Sequence, residues 1–272
     1  MTDKEGKKMI NHNDSASCGC EFCGDAVERS LFLIGGHDLE MQTIIELLKE
    51  NDQNFVDRNL RWDNAVLSVY KDLLGFEGAI FGVELYEDIT PRKNYYRIDH
   101  HNDFIGKKSS LEQVADILGV KMTRCQKLVA ANDSRYIPGM VDLGATETEI
   151  REIRKADRKA QGVTDADEIL ADKAIENNLS MRNGVMVVKL ETNRFSAICD
   201  KLYPYKKLLI YSDSELVYYG EDVGKVACRF EDEIKCGRAF KGGGETGFFG
   251  LASGHFSKNE ILYYLDKIIN LL

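Results

Sequence analysis

Apolar residues follow two alternating patterns in the first half of the chain. A short continuous apolar run at residues 31–34 indicates a buried strand, since parallel strands are covered on both faces. Apolar positions then recur at helical spacing in residues 41–48 and 65–74. Residues 76–85 and 95–98 are predicted as the next strands. Strands that alternate with helices are typical of a parallel sheet, so we predict an α/β fold.

The second half of the chain has a different pattern. Residues 146–183 are densely charged and helix-forming, and we interpret them as a helical linker. From residue 184, short β-prone runs at 185–188, 208–211, 216–219 and 226–230 precede an amphipathic helix at 259–272. We therefore predict four regions: a flexible cysteine-containing segment (1–29), a parallel-sheet metal-binding domain (30–145), the helical linker (146–183) and a smaller α/β domain (184–272).

Two side chains in the first domain are expected to have structural roles. Trp62, the only tryptophan, is predicted to anchor the polar segment 51–63 on the core. Ser109 or Ser110, together with Gln113, resembles a capping box and predicts a helix that begins there.

Acidic and imidazole residues follow the apolar segments. The first cluster is His37, Asp38 and Glu40; the later ones are Glu84, then Asp99 with His100 and His101, then Asp133. Strand carboxyl ends gather along one edge of an open α/β sheet, so we expect these groups to meet there. Carboxylates and imidazoles hold divalent cations. Taken singly, Asp38 and Glu40 could instead cap a helix, and the two histidines could lie in a solvated turn.

The spacing of these residues resembles the DHH phosphoesterase superfamily, which includes RecJ-type exonucleases, nanoRNases and cyclic-dinucleotide phosphodiesterases. The resemblance implies two divalent cations, Mn²⁺ first with Mg²⁺ or Co²⁺ as alternatives. It implies these ligands: His37, Asp38, Glu84, Asp99, His101 and Asp133, with Glu40 as an additional candidate. Asp99 and His100 are the implied catalytic residues, and His100 either ligates a metal or contacts the phosphate or leaving group. The chain departs from the family pattern at Glu40 and Glu84, where aspartate is usual.

A glycine-rich run at residues 241–250 lies near the end of the second domain. Such a loop can turn successive backbone N–H groups toward an anion. It resembles the loop of the DHH-associated domain that clamps substrate against the metal centre across an interdomain cleft, although Glu245 stands where a histidine is usual. The predicted substrate-binding residues are Arg135, Arg238, Lys241, Gly242, Gly243 and Gly244. A surface salt bridge is the alternative role for Arg135.

Three cysteines lie close together in the N-terminal segment, at Cys18, Cys20 and Cys23. They could bind zinc or an iron–sulfur cluster, although a closed site needs a fourth ligand. The alternative is a flexible redox-sensitive segment.

The net charge of -9 argues against a surface that coats long nucleic acids. No apolar run approaches the length of about 18 residues that a membrane helix needs, so we expect a cytoplasmic protein without a membrane partner. The sequence thus predicts a metal-dependent phosphoesterase that acts on a small phosphorylated substrate or short nucleic acid, with a homodimer as a candidate assembly. The alternative is a catalytically weak or inactive nucleotide-binding regulatory protein.

Overall fold

The computed structural model describes residues 30–62, 64–243 and 247–272. The predictions for Cys18, Cys20, Cys23 and Gly244 lie outside the described residues. The chain divides into two compact units, the first ending at Leu143 and the second running from Gly144 to Leu272.

The first unit contains the predicted parallel sheet. Its strands are β1 (Ser30–Ile34), β2 (Asn54–Asp57), β3 (Ala79–Val83) and β4 (Tyr95–Ile98), in the order β2-β1-β3-β4 with every neighbouring pair parallel. Its helices are α1 (Leu39–Glu50), α2 (Ser110–Leu118) and α3 (Arg124–Asp142). The α/β fold is confirmed for this unit, and the carboxyl ends of β1, β3 and β4 lie side by side.

One predicted helix is wrong. Within residues 65–74 only Leu67–Tyr70 is helical, as a short 3-10 turn. Val66 forms a parallel bridge with Tyr86, and the backbone N–H of Ser68 donates to Asp88 at 2.9 Å, so this segment is tied to the loop after β3. These contacts compete with continuous helical hydrogen bonding.

The second unit is built on a six-stranded mixed sheet. Its strands are β5 (Ser180–Arg182), β6 (Val185–Lys189), β7 (Lys207–Tyr211), β8 (Leu216–Gly220), β9 (Ala239–Gly242) and β10 (Phe248–Leu251), in the order β5-β6-β7-β8-β10-β9. Only β6 and β7 pair in parallel among these described strands. The helices are α4 (Glu147–Ala160), α5 (Asp165–Asn178), α6 (Ser196–Leu202), α7 (Val223–Arg229), α8 (Glu231–Lys235) and α9 (Lys258–Leu271).

One segment of this unit differs from expectation. The strand predicted at residues 226–230 is wrong, because this segment lies in and just after α7, where Val226, Ala227 and Phe230 face the core at helical spacing. Ala171 and Ala174 of α5 pack in the same cluster as Val188 and Ile198, so the predicted linker helices belong to the second unit. No described helix is long and apolar enough to cross a membrane.

Candidate metal centre

The centre lies where three parallel strands of the first unit end. Glu84 follows β3, and its backbone N–H donates to the carbonyl of Ile98 at the end of β4, 2.8 Å away. The next residues after β4 are Asp99, His100 and His101. Glu84 has a φ of 51°, a left-handed conformation that costs a non-glycine residue free energy and is found at functional sites.

Ligand atoms from distant parts of the chain meet here. One ligand atom each from Glu84, His100, His101 and Asp133 lies within 4.8 Å of the others. The Nε2 atom of His100 is 2.7 Å from Asp133 Oδ2, 3.4 Å from Glu84 Oε1 and 3.5 Å from Glu40 Oε2. His101 Nε2 is 3.3 Å from Glu84 Oε2. Glu40 therefore lies beside this group of four residues and contacts its member His100.

These separations match those between ligands of one cation. Ligand bonds of about 2.0–2.2 Å at tetrahedral or right angles place neighbouring ligand atoms about 3.0–3.5 Å apart. Glu40 Oε2, Glu84 Oε2, His100 Nε2 and Asp133 Oδ2 are buried and have no hydrogen-bond partner. The contact between His100 and Asp133 is short but lacks the direction of a hydrogen bond. Unpartnered buried polar atoms are costly, and their convergence fits a divalent cation.

The beginning of α2 supports two of the carboxylates. The hydroxyl of Ser110 donates to Glu84 Oε1 at 2.7 Å, and the backbone N–H of Leu111 donates to Glu40 Oε1 at 3.0 Å. The positive end of a helix also favours nearby negative charge. Each carboxylate therefore has one oxygen held by α2 and the other left for the centre.

The capping box of α2 differs in one residue from the prediction. Ser109 caps the helix, and its partner is Glu112 rather than Gln113. Gln113 instead donates to the carbonyls of Asp99 and Lys108, at 3.1 and 2.8 Å. Glu112 is the residue three positions into the helix and can reach back to the Ser109 N–H.

Burial and mutual proximity shift the protonation of this group. Burial raises the pKa of Glu40 to about 8, assisted by Asp133 and Glu84 and opposed by His100. Burial acts in the same direction on Glu84, but the nearby imidazoles of His100 and His101 outweigh it and lower the pKa to about 2. For His100, burial lowers the pKa, but the surrounding carboxylates raise it to about 12. Glu84 also raises the pKa of His101.

Three predicted ligands lie outside the ligand group, and two of them have other contacts. Both oxygens of the Asp99 carboxylate are occupied: Oδ2 accepts from Arg97 Nε and Nη2 at 3.0 and 2.5 Å, and Oδ1 accepts from the His101 N–H at 2.8 Å. Asp38 caps α1 by accepting from the Met41 N–H at 2.9 Å, the helix-capping role that its sequence position left open. His37 is exposed. The structure does not bring these three into the ligand group, and their metal roles stay predictions.

The predicted substrate residues lie in both units. Arg135 follows Asp133 at a break in α3, where the backbone of Arg135 and Tyr136 is non-helical, and it pairs with Asp142 at 2.6 Å. In the second unit, Arg238 Nε donates to Cys236 Sγ at 3.3 Å. Lys241 and Gly242 end β9, and Gly243 follows them.

Several residues at the centre could not be assigned from sequence. The hydroxyl of Ser110 and the N–H of Leu111 become relevant only when α2 lies against β3 and α1.

The predicted anchoring of Trp62 in the core is wrong, because its side chain is 49% exposed and lies edge-on to His101 with ring centroids 6.0 Å apart. The residues around Trp62 in the sequence are polar, and this was the only sequence feature that could have indicated its exposure.

No protein-family model and no curated protein matches the chain. Comparison of folds finds RecJ from Thermus thermophilus, solved in complex with Mn²⁺, at 8% identity and a TM-score of 0.47 over 91% of this chain. The chain spans about half, 53%, of that RecJ chain.

Two further solved structures are also similar in fold. One is the pGpG-specific phosphodiesterase PggH from Vibrio cholerae, at 13% identity and a TM-score of 0.42, covering 90% of this chain and 99% of PggH. The other is the DHH domain of a member of the S1p family of ribosomal proteins, at 11% identity and a TM-score of 0.40, covering 85% and 73%. The identities of these three structures to this chain lie between 8 and 13%, so the comparisons concern the fold alone.

Proposed function

We propose that this protein is a metal-dependent phosphoesterase that hydrolyses a phosphodiester or phosphate ester in a small nucleotide-type substrate, such as a short oligonucleotide or a cyclic dinucleotide. The observation that carries the proposal is the convergence of buried, unpartnered ligand atoms from Glu40, Glu84, His100 and Asp133. Four separate chain segments bring these atoms together, and a capping role explains none of these contacts.

The proposed ligands of a first divalent cation are Glu84, His100, His101 and Asp133, with Glu40 beside them. The predicted second cation would draw on His37, Asp38 and Asp99. Mn²⁺ is the first candidate, with Mg²⁺ and Co²⁺ as alternatives, because oxygen and imidazole ligands suit these ions.

A cation bound there supplies a water of lowered pKa and neutralises phosphoryl oxygens. The chain contributes orientation: Ser110 and the Leu111 N–H fix one oxygen of Glu84 and of Glu40, so the other oxygen of each faces the centre. The side chain of His101 is 42% exposed, so His101 marks the side from which a substrate can approach.

The substrate class follows from charge. A net charge of -9 disfavours contact with a long polyanion, whereas a cation centre attracts a single phosphate. For the substrate we propose contacts from Arg135, Arg238, Lys241 and the glycine run. Support comes from the exposure of Arg135, Arg238 and Lys241 and from the positive φ of Gly243.

The test is Mn²⁺-dependent hydrolysis of bis-p-nitrophenyl phosphate and of a 5′-phosphorylated dinucleotide. Asp133→Asn and Glu84→Gln should each lower kcat at least about a hundredfold and weaken Mn²⁺ binding measured by calorimetry, because each removes a charged ligand. Asp116→Asn, on the exposed side of α2, is the matched control. Equal rates in all four proteins would contradict the proposal.

A regulatory nucleotide-binding protein is the second candidate. The observation that favours it is the double contact of Arg97 with Asp99, which occupies the carboxylate of the consecutive residues Asp99, His100 and His101. This candidate expects dinucleotide binding with a measurable dissociation constant but no turnover in Mn²⁺, Mg²⁺ or Co²⁺. Turnover that Asp99→Asn abolishes would instead support the enzyme and the predicted role of Asp99.

Three predictions remain to be tested separately. The N-terminal cysteines would give bound zinc, or visible absorption from an iron–sulfur cluster, in anaerobically purified protein; absence of both would leave the redox-sensitive segment. Light scattering tests the homodimer, and cell fractionation tests the cytoplasmic location.

A further inference from the structure

The side chain of Trp62 lies against the backbone at Gly36, two residues after β1. A Cβ atom at Gly36 would lie 2.5 Å from Cη2 of the indole and 2.7 and 2.8 Å from its two neighbouring ring carbons. Gly36 also has a φ of +71°, which favours glycine. The chain therefore accommodates the indole at a position where a side chain on residue 36 would displace it.

The indole is nevertheless not buried. Half of its surface is exposed, and it lies edge-on to His101, whose Nε2 is 3.3 Å from Glu84 Oε2. Exposed aromatic side chains also occur elsewhere in the described chain, for example Tyr263. Trp62 differs from Tyr263 in its place, because it adjoins the exposed ligand of the centre.

Two arginines of the first unit are paired with carboxylates, and stacking on an aromatic side chain is a way to hold a nucleotide that does not depend on them. Arg97 is engaged by Asp99, and Arg58 pairs with Asp72 through its Nη2 atom at 2.7 Å. An aromatic face binds any base through its π surface and needs no free cation. Because tryptophan has the largest aromatic surface of the side chains, it suits this role.

We infer that Trp62 is the stacking platform for a nucleobase of the substrate whose phosphate lies at the metal centre. This inference rests on the proposed function and deepens it: the substrate carries a base next to the scissile phosphate. Simple phosphate esters of sugars would lack this contact.

The single tryptophan provides a direct binding signal in the full-length protein. AMP or GMP added to the Mn²⁺-loaded protein should quench the fluorescence of Trp62, after correction for absorption by the nucleotide. Ribose 5-phosphate has the same sugar and phosphate without a base, and it should leave the emission unchanged. Equal effects of ribose 5-phosphate and the nucleotides would overturn the inference.

Kinetics with the dinucleotide give a second measurement. Trp62→Ala should raise KM about tenfold with little change in kcat, and Trp62→Phe should restore most of the loss because phenylalanine keeps an aromatic face. Tyr263→Ala, which removes an exposed aromatic side chain from α9, is the control and should leave KM unchanged. An unchanged KM in Trp62→Ala with normal turnover would overturn the stacking role alone.

The two proposals fail differently. Quenching by nucleotides requires no turnover, so a protein that stacks bases but hydrolyses nothing would contradict the enzyme and retain the platform. A protein that hydrolyses the dinucleotide without base-dependent quenching would support the enzyme and contradict the stacking role of Trp62.

Discussion

His100 has the most unusual surroundings of the residues at the centre. Its Nε2 atom lies within 3.5 Å of three carboxylates, and these raise its pKa to about 12 although burial acts in the opposite direction. In the metal-free protein the proton on His100 therefore serves as the counter-charge of the group. A folded-state pKa above the ordinary value of 6.5 gives stability that is fully present below pH 6.5 and is lost as the pH rises toward 12.

A cation must displace this proton to bind at Nε2, since only the neutral imidazole ligates. We expect Mn²⁺ affinity to rise with pH and protons to be released on binding. Calorimetry in buffers of different ionisation enthalpy measures that release. Binding heats that are independent of the buffer would contradict His100 as a ligand.

Gly36 is the second residue whose surroundings allow a test, because its backbone conformation and its contact with Trp62 both favour glycine. Gly36→Ala forces a left-handed alanine, at about 1–2 kcal/mol, and a clash with Trp62 in addition. Gly119→Ala is the matched control, because its φ of +67° is similar but nothing lies within 4 Å of the added Cβ. Urea unfolding should show a larger loss of free energy for Gly36→Ala, together with a shifted tryptophan emission maximum in the native state. Equal losses in the two variants would contradict the close packing of Trp62 on Gly36.

At the scale of elements, α2 connects the fold to the centre. Its first turn holds Glu84 through Ser110 and Glu40 through the Leu111 N–H, so the placement of one helix sets the direction of two carboxylates. Both glutamates are longer than the aspartates that the resemblance leads one to expect, and each uses its Oε1 atom for this attachment.

Ser110→Ala should weaken Mn²⁺ binding about tenfold, since it removes the hydrogen bond that orients Glu84. The loss is measured as the dissociation constant for Mn²⁺. Ser257→Ala removes the cap of α9 and should cost about 1 kcal/mol of stability without changing metal affinity. If both variants bind Mn²⁺ as the wild type does, α2 does not orient the ligand.

At the scale of the whole molecule, each unit has a sheet and buried residues of its own. The second unit also contains a buried ion-pair network. Asp200 accepts from Arg154 Nε at 3.0 Å and from Arg158, and Arg154 pairs with Asp157 at 2.6 Å. This network links α4 to α6.

Asp200→Ala removes one carboxylate from both Arg154 and Arg158, which are buried and keep their contacts with Asp157 and Glu168. Removing one member of such a network costs up to about 3–5 kcal/mol, because two buried cations then share fewer carboxylates. Hydrogen exchange should show reduced protection in α4 and α6. Asp172→Ala, whose carboxylate is largely exposed, should cost less than about 1 kcal/mol, and equal effects of the two substitutions would refute the importance of burial.

Local pattern was sufficient for β1, β3 and β4 of the first unit and for part of the centre, but not for β2, which lies in a segment that the sequence presents only as polar. Alternating apolar runs and helical spacing predicted the β-α order, and the position of Glu84, His100, His101 and Asp133 after apolar segments predicted that they would meet. Pattern was insufficient at residues 226–230, since a short apolar run of this kind fits a strand or a buried helix equally well.

The sequence by itself determined the parallel sheet and the chemical types of the groups at its edge, because these follow from periodicity and from residue identity along a short stretch. Only the tertiary structure decided which of those groups face one another. Asp99 and His100 are neighbours in the chain, yet Asp99 contacts Arg97 while His100 contacts carboxylates from three other segments. Such choices depend on distances between atoms far apart in sequence, and these distances exist only after the helices pack on the sheet.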